Sequence, residues 1–192
     1  MTKLIYGVGW NDGKYLTKAN GKLNREYQLW QNLLARCYRS SYQRRQPTYI
    51  GCKISENFKS YSYFHEWCQE QTGFGRRGFQ LDKDIVSKGN KIYSEDLCVF
   101  LPSELNLLLI SGKALRGNLP IGVARYRGKF RASCSTDKPS PHLGDFHTLE
   151  QAFNTYKQVK ETFIKTQAEK WKEFIDPRAY AALIAYEVLI TD

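Results

Sequence analysis

The stretch that decides the fold of the C-terminal half is GVARYRGKFRASC, residues 122–134. From Lys129 to Ser135, apolar residues (Phe130, Ala132, Cys134) alternate with cationic and polar ones. A period of two residues is typical of a strand with one buried face and one solvated face. We therefore predict two strands, residues 119–126 and 129–135, joined by a tight turn at Arg127-Gly128.

The residues that follow predict the partner of this hairpin. A third strand is expected at His142–Phe146, after a longer turn at residues 137–141. Thr148-x-x-Gln151 is a capping-box pattern at the start of an amphipathic helix. The apolar positions of that helix are Ala152, Tyr156, Val159, Phe163 and Trp171. The sequence thus predicts a three-stranded sheet packed on a long helix, with a last helix after Asp176-Pro177.

The outward face of this predicted sheet is basic. Residues 125–131 carry four cations, separated only by Tyr126, Gly128 and Phe130. A narrow sheet fits the major groove of DNA, where arginine bonds phosphates or the O6 and N7 of guanine. The alternative is an ordinary solvated sheet face. The candidate DNA-binding residues here are Arg125, Tyr126, Arg127, Lys129, Arg131, Ser133 and His142.

Positive charge is concentrated in two parts of the chain. The net charge is +10 over 192 residues, with +8 in residues 1–60, −1 in residues 61–115 and +3 in residues 116–150. Two basic segments that flank an acidic one favour a nucleic-acid partner over general solubility, because phosphates require cations. In the N-terminal segment the candidate DNA-binding residues are Arg36, Arg44 and Arg45.

The N-terminal half predicts short helices and strands. Turn residues up to Gly21 indicate a loose hairpin, and a helix with Trp30 on its apolar stripe follows a cap at Asn24. Residues 40–55 are expected to be a loop, and a helix is expected at Tyr61–Gln71. The order then becomes strand, loop, strand and helix. The bounds expected for these elements are Phe79–Ile85, Leu97–Leu101 and Pro102–Leu109.

An acidic cluster lies in this strand-loop-strand segment. Asp82, Asp84, Glu95 and Asp96 fall within 15 residues. Carboxylate oxygens are the ligands that Mg²⁺ prefers, and a bound Mg²⁺ stabilises a phosphodiester transition state. The alternative is that these residues form ion pairs with neighbouring lysines. On composition alone both interpretations stand.

The cysteines and the apolar runs exclude other classes of protein. Five well-separated cysteines predict reduced, buried thiols, and without a CxxC pair a structural zinc site is not expected. The longest apolar run, Leu105–Ile110, is too short for a membrane span, and no secretory signal is visible at the N-terminus. We therefore expect a cytoplasmic protein with no membrane association.

The C-terminal motifs resemble the AP2 DNA-binding domain over residues 119–160. The matching positions are Gly122-Val123, Gly128-Lys129-Phe130-x-Ala132, His142-Leu143-Gly144-Asp145-Phe146-x-Thr148-x-Glu150-x-Ala152 and Tyr156. The resemblance implies a three-stranded sheet that binds DNA in the major groove. Ala124 and His142 replace the arginine and tryptophan common in that family, so the base preference does not carry over.

The N-terminal motifs resemble phage-type HNH homing endonucleases, which often carry an AP2-type module. The matching positions are Trp30-x5-Arg36-Cys37-Tyr38, Tyr49-x-Gly51, Phe58-x5-Phe64-x2-Trp67, Leu81-Asp82-Lys83-Asp84, Tyr93-Ser94-Glu95-Asp96-Leu97-Cys98 and Asn106. The resemblance implies an HNH-like (ββα-metal) module at residues 1–112, a linker at 113–118 and an AP2-like domain with a helical extension at 119–192. Asp82 and Asn106 would then hold Mg²⁺ or another divalent cation, and Asp96 matches the central asparagine.

Lys83 departs from the HNH pattern, because it stands where the general-base histidine belongs. A histidine can deprotonate water near neutral pH, whereas a lysine beside two aspartates retains its proton. Lys83 could instead contact the phosphate, Asp84 could act as base or ligand, or His65 could supply the base. Catalysis could also be lost. His65 is more simply explained as a packed helix residue.

Two functions follow. The first is a metal-dependent DNA endonuclease that cleaves phosphodiester bonds in double-stranded DNA, with Asp82, Lys83, Asp84, Asp96 and Asn106 as the catalytic residues. The second is a catalytically inactive, sequence-selective DNA-binding regulator on a degenerate HNH scaffold. In both, we expect a monomer bound to duplex DNA inside a bacterial cell, in a protein of phage origin.

Overall fold

The computed structural model describes residues 4–110, 117–135 and 141–192. It combines helices with short strands, so the predicted α+β class is confirmed. The chain forms two units, Met1–Leu101 and Pro102–Asp192, which we call the first and the second unit. The predicted linker, 113–118, and the predicted turn at 137–141 lie mostly outside the described residues.

The first unit consists of short elements around an aromatic core. In chain order they are β1 (Lys18–Ala19), β2 (Lys22–Leu23), α1 (Arg25–Tyr38), α2 (Ser40–Arg45), β3 (Lys53–Ile54), α3 (Tyr61–Glu70), β4 (Phe79–Asp82), β5 (Ile92–Tyr93) and β6 (Val99–Pro102). The predicted hairpin and both predicted helices are present. The segment 40–55, predicted as a loop, contains α2 and β3, so that prediction is wrong.

Helices α1 and α3 pack against each other through aromatic rings. Trp30 is fully buried, and its indole nitrogen donates to the carbonyl oxygen of Phe58 at 2.7 Å. The ring of Phe58 meets Trp67 edge to face, with ring centroids 4.8 Å apart. Each buried aromatic ring removes a large apolar area from water. Each of the strands β3 to β6 buries at least one side chain in the interior of this unit, whereas β1 and β2 are exposed.

Strands β4 and β6 are hydrogen-bonded neighbours, as the predicted strand-loop-strand order requires. β4 ends at Asp82, earlier than predicted, and β6 leads directly into the next helix. Strand β5, which the sequence did not predict, pairs in parallel with β3 through Lys53↔Ile92 and Ile54↔Tyr93. Each of these two strands has only two residues, which is too short to show the alternating pattern that predicts a strand.

The second unit contains a three-stranded sheet and a long helix. Its elements are α4 (Ser103–Leu108), β7 (Val123–Tyr126), β8 (Lys129–Ser133), β9 (His142–Phe146), α5 (Leu149–Trp171) and α6 (Pro177–Ile184). The strands are antiparallel in the order β7-β8-β9, as predicted. None of the helices in the described ranges has the length and apolar content needed to cross a membrane.

The sheet packs on α5 through small residues in the sheet and large ones on the helix. Val123, Ala132 and Cys134 are buried against Phe153 and Tyr156. The side chain of Thr148 caps α5 by accepting from the backbone N–H of Gln151 at 3.2 Å, as predicted. Past its middle the helix buries Ile164 and Ala168 rather than the predicted Phe163 and Trp171. From the middle of the helix onward, the buried positions therefore lie one residue nearer the C-terminus than the predicted apolar stripe.

Gly122 allows β7 to approach α5. Its φ is +77°, and a Cβ atom at this position would lie 2.0 Å from Cδ2 of Tyr156. Both the left-handed backbone and the missing side chain are therefore required. Gly128, in the turn between β7 and β8, has the same φ of +77° but no heavy atom within 4 Å of the Cβ position.

We predict that Gly122→Ala destabilises the second unit far more than Gly128→Ala. The Gly128 change adds only backbone strain, about 1 kcal/mol, whereas the Gly122 change also forces Tyr156 away and costs about 1–3 kcal/mol more. Urea unfolding followed by circular dichroism measures both. Equal losses in the two variants would show that the close approach to Tyr156 is unimportant.

Candidate functional site

The register of the sheet defines an outward face opposite α5. Val123 pairs with Ala132 and both are buried, so their neighbours Ala124 and Arg131, which also pair, point outward. The side chains on this outward face are Ala124, Tyr126, Lys129, Arg131, Ser133, His142 and Asp145. The alternation predicted along β8 is therefore confirmed, and it brings together most of the candidate residues of this sheet.

Arg125 is not on the outward face. Its register partner is Phe130, which packs toward α5, and its guanidinium carbon lies 5.2 Å from the centroid of that ring. The expectation that Arg125 shares a face with Lys129 and Arg131 is wrong, because residues of β7 alternate just as those of β8 do. Arg125 is nevertheless exposed, at the hairpin end of the sheet.

Arg131 is held in place by Asp145 and Tyr126. Its Nε and Nη2 donate to Oδ1 and Oδ2 of Asp145 at 2.7 and 2.9 Å. The guanidinium carbon lies 3.4 Å from the ring centroid of Tyr126. The bonds from Arg131 lower the pKa of the Asp145 carboxyl strongly, and the same bonds raise the pKa of Arg131. The central arginine is thus a fixed, charge-balanced group rather than a free cation.

His142 completes this network. Its Nε2 lies 3.1 Å from Oδ1 of Asp145, the same oxygen that accepts from Arg131. Asp145 was not among the predicted site residues, although the paired positions Arg131 and Asp145 could have been found by extending the strand alternation into β9. The carboxylate bridges two candidate DNA-binding residues and sets the direction of both.

The turn between β7 and β8 projects further cations. Arg127 and Gly128 both have positive φ, +47° and +77°, as a two-residue hairpin loop requires. Arg127 lies 5.2 Å from the ring centroid of Tyr126. Arg127 and Lys129 are exposed, so the hairpin end presents accessible positive charge beside Arg131.

The acidic turn after β4 is tied to its own backbone. Oδ1 of Asp82 accepts from the backbone N–H groups of Asp84 and Ile85 at 2.8 and 2.7 Å. Burial raises the pKa of Asp82 above its usual value, although these two bonds oppose the shift. One carboxylate oxygen of the predicted metal ligand therefore holds the turn together.

Lys83 points into the first unit. It is 7% exposed, and its Nζ donates to Oδ1 of Asp84 at 2.6 Å and to the carbonyl oxygen of Asn90 at 2.5 Å. The ammonium also lies 5.6 Å from the ring centroid of Tyr93. The prediction that Lys83 could contact a phosphate does not fit this position, because its ammonium is buried and already bonded.

The carboxylates of this turn already have partners within the chain. Mg²⁺ is often held by one or two carboxylates, but Asp84 is paired with an ammonium and Asp82 caps the turn. Asp96 lies in an exposed turn of the first unit, and Asn106 lies on α4 in the second unit. Over residues 4–110, 117–135 and 141–192, no three His, Cys, Asp or Glu side chains group as metal ligands.

His65 packs within an aromatic cluster. Its ring stacks on Tyr15 with centroids 3.9 Å apart, and Tyr61 meets it edge on. Among the described residues, its buried Nδ1 has no hydrogen-bond partner. The interpretation of His65 as a packed helix residue is confirmed. The five cysteines are all buried, also as predicted.

The three candidate arginines of the first unit differ in exposure. Arg44 and Arg45 are exposed at the end of α2. Arg36 is half-buried, with its guanidinium carbon 5.3 Å from the ring centroid of Tyr49 and Nη1 3.5 Å from the hydroxyl of Tyr93.

In comparisons with protein-family models, curated proteins and solved structures, nothing matched this chain.

We predict that the Lys83–Asp84 pair responds asymmetrically to mutation. Asp84→Ala leaves a buried ammonium without its counter-ion and should lower the free energy of unfolding by about 1–3 kcal/mol. Lys83→Met replaces the buried charge with an apolar side chain of similar length and should cost less than about 1 kcal/mol. Urea unfolding compares the two. A larger loss in Lys83→Met would contradict this account.

Proposed function

We propose that the chain binds double-stranded DNA through the outward face and hairpin end of the β7-β8-β9 sheet. The observation that carries this proposal is the orientation of Arg131, which Asp145 and Tyr126 hold on the outward face. The three-stranded sheet on a long helix is also the arrangement that the resemblance to AP2 domains implies. The major groove of B-DNA, about 12 Å wide, admits an element of this size.

The residues of the sheet have different roles in this proposal. Arg127 and Lys129 are exposed and act as phosphate contacts, which fix the position of the protein without reading sequence. Arg131 reads a base edge, because its guanidinium carries five donors and the bonds to Asp145 use only two of them. Asp145 and Tyr126 are positioning residues for Arg131. Ser133 and His142 complete the contact surface.

We predict separable effects of the sheet residues on duplex binding. Arg127→Ala and Lys129→Ala should each weaken binding to all sequences and reduce the slope of log affinity against log salt by about 1. Arg131→Ala should lose roughly tenfold on the preferred sequence and much less on others. Arg125→Ala should not change discrimination, since Arg125 lies on the other face. Fluorescence anisotropy at several salt concentrations measures all four variants.

The matched control is Lys165→Ala, which removes an exposed cation from α5. This change should leave both the affinity and the salt slope nearly unchanged. If Lys165→Ala and Lys129→Ala weaken binding equally, the sheet has no special role and only the overall charge matters. We also propose that the chain binds an asymmetric DNA site as a monomer. We further propose that it is a phage-encoded protein that acts inside a bacterial cell.

Metal-dependent DNA cleavage is a second candidate function. The order β4, β6, α4, with β4 beside β6, favours it, because this is the frame that the resemblance to HNH endonucleases implies. The inward, paired Lys83 argues against it, because no histidine stands at the general-base position. We therefore expect binding without cleavage.

Plasmid nicking distinguishes the two candidates. The native chain and Asp82→Asn are incubated with supercoiled DNA and MgCl₂ or MnCl₂. Asparagine retains the oxygen that accepts the two backbone N–H bonds, so the turn should persist. We expect no metal-dependent nicking by either protein. Nicking by the native chain that Asp82→Asn abolishes would replace the binding-only proposal with an endonuclease.

A further inference from the structure

The first unit contains a polar cleft between α1 and β4. Its volume is about 350 Å³, within the range of small-ligand sites. Arg25 and Arg36 line it together with Gln28, Asn32 and Gln80, over an apolar floor of leucine and phenylalanine side chains. The α1 residues recur every three or four positions and therefore share one helix face.

The charge of this cleft is positive and locally uncompensated. Among the residues that the structure describes, no acidic side chain lines it. Arg25 donates to the carbonyl oxygens of Arg76 and Phe79 at 3.2 and 2.9 Å. Arg36 contacts the Tyr93 hydroxyl at 3.5 Å and the ring of Tyr49, with the Tyr42 hydroxyl as a further partner, and its buried Nε has no hydrogen-bond partner in the described part of the chain.

Neither arginine has a carboxylate within ion-pair distance among the described residues. Glu26, which follows Arg25 in sequence, accepts a hydrogen bond from Gln69 instead. A half-buried guanidinium without a counter-ion is costly unless an anion is supplied from outside. The two arginines therefore favour an anion as the ligand of this cleft.

The length of the cleft selects the kind of anion. Arg25 and Arg36 are separated by about three turns of α1, or roughly 16 Å along the helix axis. A single phosphate ion is short compared with such a strip, whereas a run of backbone phosphates matches its length. The side-chain amides of Gln28 and Asn32 between them can donate to phosphate oxygens without reading bases.

We propose that the cleft between α1 and β4 binds the phosphate backbone of a DNA strand, as a second, sequence-independent contact of the chain. This inference rests on the proposed function, because it takes the same partner as the sheet. It assigns roles to Arg25, Gln28 and Asn32, which the sequence did not single out. Arg36, a predicted DNA-binding residue, acts here as a half-buried anchor rather than as a surface cation.

Asn32→Glu tests the cleft directly. Asn32 is exposed on α1, so the change should leave the fold intact while adding a negative charge beside the phosphates. The matched control is Gln158→Glu, which adds the same charge on the exposed side of α5. Asn32→Glu should weaken duplex binding roughly tenfold on all sequences and lower the salt slope by about 1, and Gln158→Glu should do neither. Equal effects of the two variants would overturn the proposal.

A second set of variants separates this inference from the sheet proposal. If Arg127→Ala with Lys129→Ala abolishes binding but Asn32→Glu behaves like Gln158→Glu, the sheet proposal stands and the cleft proposal fails. If the sheet variant binds like the native chain and Asn32→Glu does not, the cleft stands and the sheet proposal fails.

Arginine side-chain NMR provides a readout that does not depend on affinity. The Nε–H signals of Arg25 and Arg36 should both shift when a short oligonucleotide is added to the full chain. Inorganic phosphate at the same phosphate concentration should shift neither, or only one. Equal shifts of both signals with inorganic phosphate would show a free-ion site and overturn the strand assignment.

Discussion

The packing of Ala132 and Val123 against α5 determines what the rest of the sheet can present. These two residues are register partners, and both are buried under Tyr156 and Phe153. A slip of one residue in either strand would turn the apolar set outward, so the register is strongly specified. Once it is fixed, Lys129 and Arg131 must face away from the helix and Arg125 must face toward it. The candidate DNA-binding surface is therefore a consequence of the core beneath it.

In the first unit, two cations, Lys83 and Arg36, point inward and contact the same tyrosine. Lys83 lies over the ring of Tyr93, and Arg36 reaches the hydroxyl of the same residue. Tyr93 thus connects the acidic turn after β4 with the far end of the α1–β4 cleft. Burial raises the pKa of its hydroxyl, so it remains a neutral acceptor between two cations. This arrangement explains why Lys83 is unsuited to act on a bound phosphate, whereas Arg36, which lines an open cleft, is suited to it.

Much of the second unit could be predicted from the sequence, because its elements carry strong periods. The alternation from Lys129 to Ser135 and the cap at Thr148 determined the sheet and the start of α5. The face of Arg125 was missed, since four cations in one stretch suggested one surface. In the first unit α2 was missed because its six residues bury no side chain, and the pairing of Lys83 with Asp84 follows from a turn that no local pattern encodes.

Asp145 places a negative charge on the surface that we propose binds DNA, and this placement has a physical consequence. The carboxylate weakens nonspecific attraction to phosphates, since it balances the charge of Arg131. In exchange it removes rotational freedom from the guanidinium, so less entropy is lost when Arg131 bonds a base edge. A protein that uses such a surface for discrimination must obtain part of its affinity elsewhere. In our proposal, Arg25 and Arg36 in the cleft of the first unit provide that part of the affinity, because they would contact phosphates without reading sequence.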